Sequence, residues 1–152
     1  MIPFYVRPMT IYDVPKVHSL AFTNLDEYYS KDVFNLFLQQ WPNGQQVACR
    51  YGGEIIGFIC GSDLGPDRVG VALLVVDKES RGNGIGSQLL LTLRRNGILR
   101  GAQTVRLEVR KENRNALNFY RNRGFVTVET LESYYKNGGD AIRMIGLCAI
   151  DS

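Results

Sequence analysis

The run Arg81-Gly82-Asn83-Gly84-Ile85-Gly86, followed by Ser87, is the stretch of this 152-residue sequence best suited to chemistry. Glycines let a backbone turn tightly and bring its N–H groups against a ligand. The run follows an apolar stretch and opens a helical one, and a helix N-terminus carries partial positive charge. With Arg81 adding a formal charge, the loop suits a phosphate or pyrophosphate. Further along, Thr104 to Arg110 alternates strictly, so Glu108 points away from the apolar face made by Val105, Leu107 and Val109. Arg106 and Arg110 share its face and would draw on its charge. Asn113 and Tyr120 are seven residues apart, two helical turns, and so share one face of the next helix. Glu27 and Tyr29, within Asp26-Glu27-Tyr28-Tyr29, and the pair Tyr134-Tyr135 could accept an amine and grip a peptide backbone.

The elements that must position these residues follow from periodicity. Phe4 to Arg7 predicts a short strand. Thr10, with Asp13 in the first turn, caps a helix whose apolar face is Val14, Val17, Leu20 and Ala21. A second helix starts after Ser30 and stops at Pro42-Asn43-Gly44. Gln46 to Tyr51 and Glu54 to Cys60 flank Gly52-Gly53 as a hairpin. Arg68 to Val76 is a largely apolar strand, expected to be covered on both faces. Gly84 to Arg100 is a helix closed by Gly101. The strand Thr104 to Arg110 and a helix Asn113 to Asn122 come next. A last hairpin pairs Phe125 to Tyr135 with Ala141 to Ile150 across Asn137-Gly138-Gly139. The order β-α-α-β-β-β-α-β-α-β-β predicts an α/β or α+β sandwich, one mixed sheet with helices packed on it. No linker or repeat divides residues 1–152, which read as a single domain.

Composition limits the alternatives. The chain is 45% hydrophobic and 22% charged, which excludes disorder and collagen-like sequence. The longest apolar run, Val71 to Val76, is six residues, far short of the roughly 20 that span a membrane. The first residues, Met-Ile-Pro-Phe-Tyr-Val-Arg, lack the pattern of a secretory leader. Cys49, Cys60 and Cys148 are far apart and form no CxxC, so neither a disulfide framework nor a metal site is expected. A reduced, cytoplasmic setting is the expectation. Between Lys78 and Arg123 stand eleven Lys or Arg against three Glu, while the rest of the chain is net acidic. A basic middle suits a polyanion, whether nucleic acid or a phosphorylated cofactor.

Three phosphate-loop patterns compete for residues 81–87. A P-loop would need Gly-Lys-Ser/Thr, and Ser87-Gln88 stands there instead. A dinucleotide loop would need an acid about 20 residues on and a place after the first strand, and both are missing. The third pattern, Arg/Gln-x-x-Gly-x-Gly/Ala, fits Arg81, Gly84 and Gly86. It is the acyl-CoA loop of the GNAT acetyltransferases. The chain resembles that superfamily from about residue 4 to 148. Within it the second half resembles protein N-terminal acetyltransferases, of the bacterial ribosomal-protein alanine, archaeal and NatA catalytic-subunit types. The resemblance is carried by Leu74-Val75-Val76-Asp77, the loop itself, Leu107-Glu108-Val109-Arg110-Lys111-Glu112-Asn113 with Tyr120 on the following helix, and Tyr134-Tyr135 ahead of Asp140-Ala141.

The resemblance implies a GNAT fold: one mixed, mostly antiparallel central sheet of about seven strands, flanked by about four helices. It implies acetyl-CoA as donor, with CoA as product. Leu74, Val75 and Val76 would pair with the pantetheine arm, and Arg81, Gly82, Asn83, Gly84, Ile85, Gly86 and Ser87 would hold the pyrophosphate. Asn113 would contact the cofactor near the thioester. Tyr120, also at the cofactor, would protonate the departing thiolate, a task a phenol of ordinary value near 10 can perform. Glu108 would take a proton from the amine through a water. Without the resemblance, Tyr120 reads as a core aromatic and Glu108 as a solvated strand charge. Glu27, Tyr29, Tyr134 and Tyr135 would receive a peptide or protein N-terminus. Ribosome association, no metal, no membrane and a monomer or homodimer complete the expectation. An α-amine, ordinarily near 7.7–8.0, gives up its proton more readily than a lysine near 10.4, which favours N-termini. Two rivals stand beside this reading: acetylation of a small amine, and a nucleic-acid or ribosome-binding module using the basic middle.

Overall fold

The apolar patterns become eleven elements in the computed structural model, which describes residues 2–149. These are β1 (Phe4–Pro8), α1 (Val14–Asn24), α2 (Lys31–Gln40), β2 (Gln45–Arg50), β3 (Ile55–Asp63), β4 (Arg68–Val76), α3 (Ile85–Arg100), β5 (Thr104–Arg110), α4 (Arg114–Arg121), β6 (Val126–Leu131) and β7 (Ala141–Leu147). The strands form one sheet in the order β1-β2-β3-β4-β5-β7-β6. Only β4 and β5 pair in parallel; the other neighbours are antiparallel. The expected mixed, mostly antiparallel sheet of seven strands with four helices is therefore present.

Alternation along the strands sends side chains to two cores, one on each face. Val17, Phe34, Val47 and Phe58 pack between the sheet and α1–α2. Ile85, Leu89, Leu93, Val105, Leu107 and Phe125 pack between the sheet and α3–α4. The expected cap before α1 forms in part through Asp13, whose Oδ2 accepts from the Thr10 N–H at 2.8 Å. Arg7 donates to the same carboxylate at 2.7 Å and holds it below the usual carboxylate range.

The last hairpin differs from its expectation. Its strands stop at Leu131 and restart at Ala141, so Tyr134 and Tyr135 lie in a loop, not a strand. Local bonds within the loop replace the ladder. Ser133, at φ +51°, donates its N–H to Asp140 Oδ1 at 2.9 Å, and the Tyr135 N–H donates to the Gly139 carbonyl at 3.0 Å. Ile150, expected to end the last strand, lies outside the described residues.

One irregularity shapes the centre of the sheet. β4 pairs with β5 only from Arg68↔Thr104 to Val71↔Leu107. There the β3–β4 register shifts: Gly61 faces Val71, Cys60 faces Leu73, and Ala72 is the extra residue of a bulge. Beyond the bulge β4 stays with β3 and β5 stays with β7, and the two strands part. Gly61 sits at this point because a side chain would not fit. A Cβ there would lie 2.6 Å from the Trp41 ring and 2.9 Å from the Gly44 carbonyl oxygen. Gly61→Ala is expected to lower stability by about 1–3 kcal/mol through overpacking. Gly52→Ala, where a Cβ would meet nothing within 4 Å, is the control and should be near neutral. Equal urea midpoints for the two variants would contradict the packing argument.

Candidate active site

The parting of β4 and β5 leaves a groove in two lobes, of about 520 and about 640 Å³. Both lobes are lined by Asn24, Leu25, Leu74, Asn113, Ala116 and Tyr120, so they meet at the α4 face that carries Asn113 and Tyr120.

The larger lobe is walled by the end of β4, the glycine loop, the first turn of α3, and α4. Gly82 and Gly84 have φ of +81° and +79°, a region that L side chains rarely adopt. Gly84 is the left-handed cap of α3, and no side chain caps the helix. The first N–H groups of α3 therefore have no intrahelical partner, an arrangement that suits an anion. On β4, the Asp77 N–H bonds to the Ile56 carbonyl at 2.8 Å, which sets the phase of the antiparallel ladder. By that alternation Val75 turns its backbone groups to β3, while those of Leu74 and Val76 face the groove. The Val76 carbonyl accepts from Arg81 Nε at 3.1 Å, and Arg81 also reaches Asn24 Oδ1 at 3.2 Å.

Of the residues expected here, Leu74, Val75, Val76, Arg81, Gly82, Gly84, Ile85, Gly86, Ser87, Asn113 and Tyr120 all line this lobe. Asn83 does not. Its amide ties the loop together, donating to the Ser80 carbonyl at 2.8 Å and accepting from the Ile2 N–H at 2.9 Å. Asn113 Oδ1 caps α4 by accepting from the Ala116 N–H at 3.1 Å, which leaves its NH2 group for the groove.

The smaller lobe holds Glu27, Tyr29, Glu108, Tyr134 and Tyr135, together with Tyr120 at its inner end. Glu108 Oε2 accepts from Arg143 Nε at 2.9 Å, across the β5–β7 ladder. Arg106 Nε is 3.2 Å from the same oxygen. Arg110, which shares Glu108's strand face, turns instead to Glu27, with Nη2 at 3.3 Å from Oε1. Its guanidinium lies 4.0 Å from the Tyr135 ring centroid and donates to Asn137 Oδ1 at 3.2 Å. It thus ties the α1–α2 loop to the β6–β7 loop, the two walls of this lobe. Burial raises the Tyr134 and Tyr29 phenols above their ordinary value and pushes Tyr135 up to about 12. All three stay protonated at neutral pH and can donate. Tyr120 is buried between Phe119 and Phe125, and desolvation raises its phenol too, with Arg123 pulling the other way.

Two arginines escaped the sequence reading. Arg123 lies in the turn just after α4, three residues beyond Tyr120, and both line the larger lobe. It stacks 3.7 Å over Phe119 and bonds to Ser87 Oγ in the first turn of α3. Arg143 had no local signal, because its place opposite Glu108 exists only once β5 and β7 pair.

Residues 12–125 match the acetyltransferase (GNAT) family. The chain belongs to that family. It is 39% identical over 128 residues to N-alpha-acetyltransferase 30 of Schizosaccharomyces pombe, covering 80% of this chain and 83% of the relative. To human N-alpha-acetyltransferase 30 it is 33% identical over 144 residues, 92% of this chain but only 40% of the human protein's length. Among solved structures, Ard1 from Thermoplasma volcanium aligns with a TM-score of 0.91 at 30% identity, covering 96% of this chain and 98% of that one. A chain of the NatC complex bound to Gag peptide and CoA aligns with a TM-score of 0.88 at 28% identity, covering 97% and 99%. These relatives are of the N-terminal acetyltransferase type.

Arg123 is partly desolvated, which lowers its affinity for its own proton and leaves it in want of a counter-charge. Arg123→Ala is expected to weaken binding of inorganic pyrophosphate about three- to tenfold at low salt, read by calorimetry. Unchanged affinity would remove Arg123 from the anion site.

Proposed function

We propose that this chain transfers an acetyl group directly from the thioester of acetyl-CoA to the α-amine of protein N-termini. One observation carries the proposal: a lobe suited to phosphate and a lobe with two glutamates and three tyrosines meet at one further tyrosine, between strands that have come apart. The larger lobe fits the donor chemically. The free N–H groups of α3, Arg81 and Arg123 match a pyrophosphate, and the outward backbone groups of Leu74 and Val76 match the amides of a pantetheine arm. Acetyl-CoA supplies an activated acetyl group, so the protein's tasks are orientation and proton transfer.

Glu108 acts as the base. It takes the proton that the attacking amine must lose, directly or through one water. Tyr120 acts as the acid. Burial keeps its hydroxyl protonated, and it gives that proton to the sulfur as the thioester bond breaks. Glu27 and Tyr29 on one wall, and Tyr134 and Tyr135 on the other, receive the N-terminus and its backbone. The cytoplasm is the proposed setting, supported by three buried cysteines that form no disulfide. Residues 1–152 act as one catalytic domain, and the basic middle supports work beside the ribosome.

The test is mass spectrometry of a peptide pool with varied first residues and an internal lysine, incubated with acetyl-CoA. Acetylation confined to α-amines is expected; CoA binding without peptide product would favour a small-amine substrate instead. Glu108→Gln and Tyr120→Phe are each expected to lower the rate about 10²–10⁴-fold. Losses below tenfold in both would remove the assigned roles. With Tyr120 held protonated, kcat/KM should rise from pH 7 to 9 as the α-amine deprotonates. A fall over that range would contradict a neutral Tyr120 acid.

A further inference from the structure

The carboxylate of Glu108 is held unevenly. Its Oε2 takes the directed bond from Arg143 Nε at 2.9 Å. Arg106 Nε is near the same oxygen, at 3.2 Å, yet it is buried and makes no directed hydrogen bond among the described residues. Among the described residues, Oε1 has only the Tyr134 hydroxyl, at a long 3.4 Å, on the side lined by that tyrosine. One oxygen is therefore anchored and the other is left toward the groove.

The anchor is built into the sheet. Arg143 stands directly opposite Glu108 on β7 and opposite Glu129 on β6. Its Nη1 bonds to Glu129 Oε2 at 3.2 Å, so the guanidinium is fixed from both sides by neighbouring strands. The Glu108 and Arg143 side chains are 16% and 24% exposed, against 52% for Glu129. The pair that matters is the sheltered one, and Glu129 is an outer brace.

We propose that Arg143 is a positioning residue: by binding Oε2 it fixes the Glu108 carboxylate so that Oε1 is the oxygen offered to the substrate amine. The proposal rests on the reading of Glu108 as the base. Removing Arg143 leaves the carboxylate next to Arg106 alone, whose guanidinium is not aimed at Oε2, and the carboxylate turns to meet it. Orientation is then lost while the peptide-binding wall made by Glu27, Arg110 and Tyr135 is untouched.

The experiment is a double-mutant cycle on the full chain with acetyl-CoA and a peptide substrate. Arg143→Gln should lower kcat roughly tenfold or more with peptide KM within about twofold. Arg143→Lys, which keeps a donor and the charge, should recover part of the loss. In a Glu108→Gln background, Arg143→Gln should cost less than about twofold, because it acts through the carboxylate. CoA affinity and thermal midpoint, measured on each variant, report folding. An equal loss in both backgrounds, or an Arg143→Gln rate within twofold of the parent, overturns the proposal. Full activity of Glu108→Gln alone would overturn the base assignment and this inference with it, whereas loss in Glu108→Gln without loss in Arg143→Gln overturns the positioning role only.

Discussion

Everything in the site depends on a pairing that stops. β4 and β5 are hydrogen-bonded neighbours at Val71 and Leu107, and three residues later they are the two walls of a groove. A sheet cannot open in its middle without exposing backbone donors and acceptors, which need partners. The bulge at Ala72 begins the parting, and the β3 and β7 ladders keep each strand straight beyond it. The outward groups of Leu74 and the Val76 N–H face the opening, while the Val76 carbonyl accepts from Arg81. The loop and α3 then start where β4 ends, so the helix N-terminus lies at the far end of the same opening.

The charges around the opening are sorted by strand register. On β5, Arg106, Glu108 and Arg110 project to one face, yet each has a different neighbour. Glu108 meets Arg143 because β7 pairs with β5 there, and Arg110 meets Glu27 because the α1–α2 loop folds over that end. The result is an anchored carboxylate in the lobe that Tyr120 also lines, and a second acid tied to the aromatic wall. The tyrosines, each raised by burial, remain neutral donors among these charges.

Much of this was legible from local sequence. The alternation of Thr104 to Arg110, the seven-residue spacing of Asn113 and Tyr120, and the glycines at 82 and 84 each report backbone geometry within a few residues. The resemblance then brought Glu27 and Tyr134 into the same cleft. Features made by distant residues were not legible. Arg110 and Glu27 are 83 positions apart, and Arg143 faces Glu108 only through the β5–β7 register. Residues 132–135 read as strand in the sequence but lie in the loop, because its turn bonds, through Ser133 and Asp140, carry no hydrophobic period. Arg94, on α3, carried no sequence signal for burial yet is only 6% exposed; its guanidinium is satisfied by the Leu147 and Arg123 carbonyls.

The central claim is that the opening between β4 and β5 holds both substrates with the reacting atoms between Glu108 and Tyr120. A crystal structure with a conjugate of CoA and a short peptide, joined at the peptide α-amine, tests it most directly. The account places the sulfur within about 2.6–3.5 Å of the Tyr120 hydroxyl, the pantetheine amides on the backbone of Leu74 and Val76, and the α-nitrogen on the Glu108 side, directly or through one water. A conjugate seated outside the opening, or with its sulfur remote from Tyr120, would contradict it.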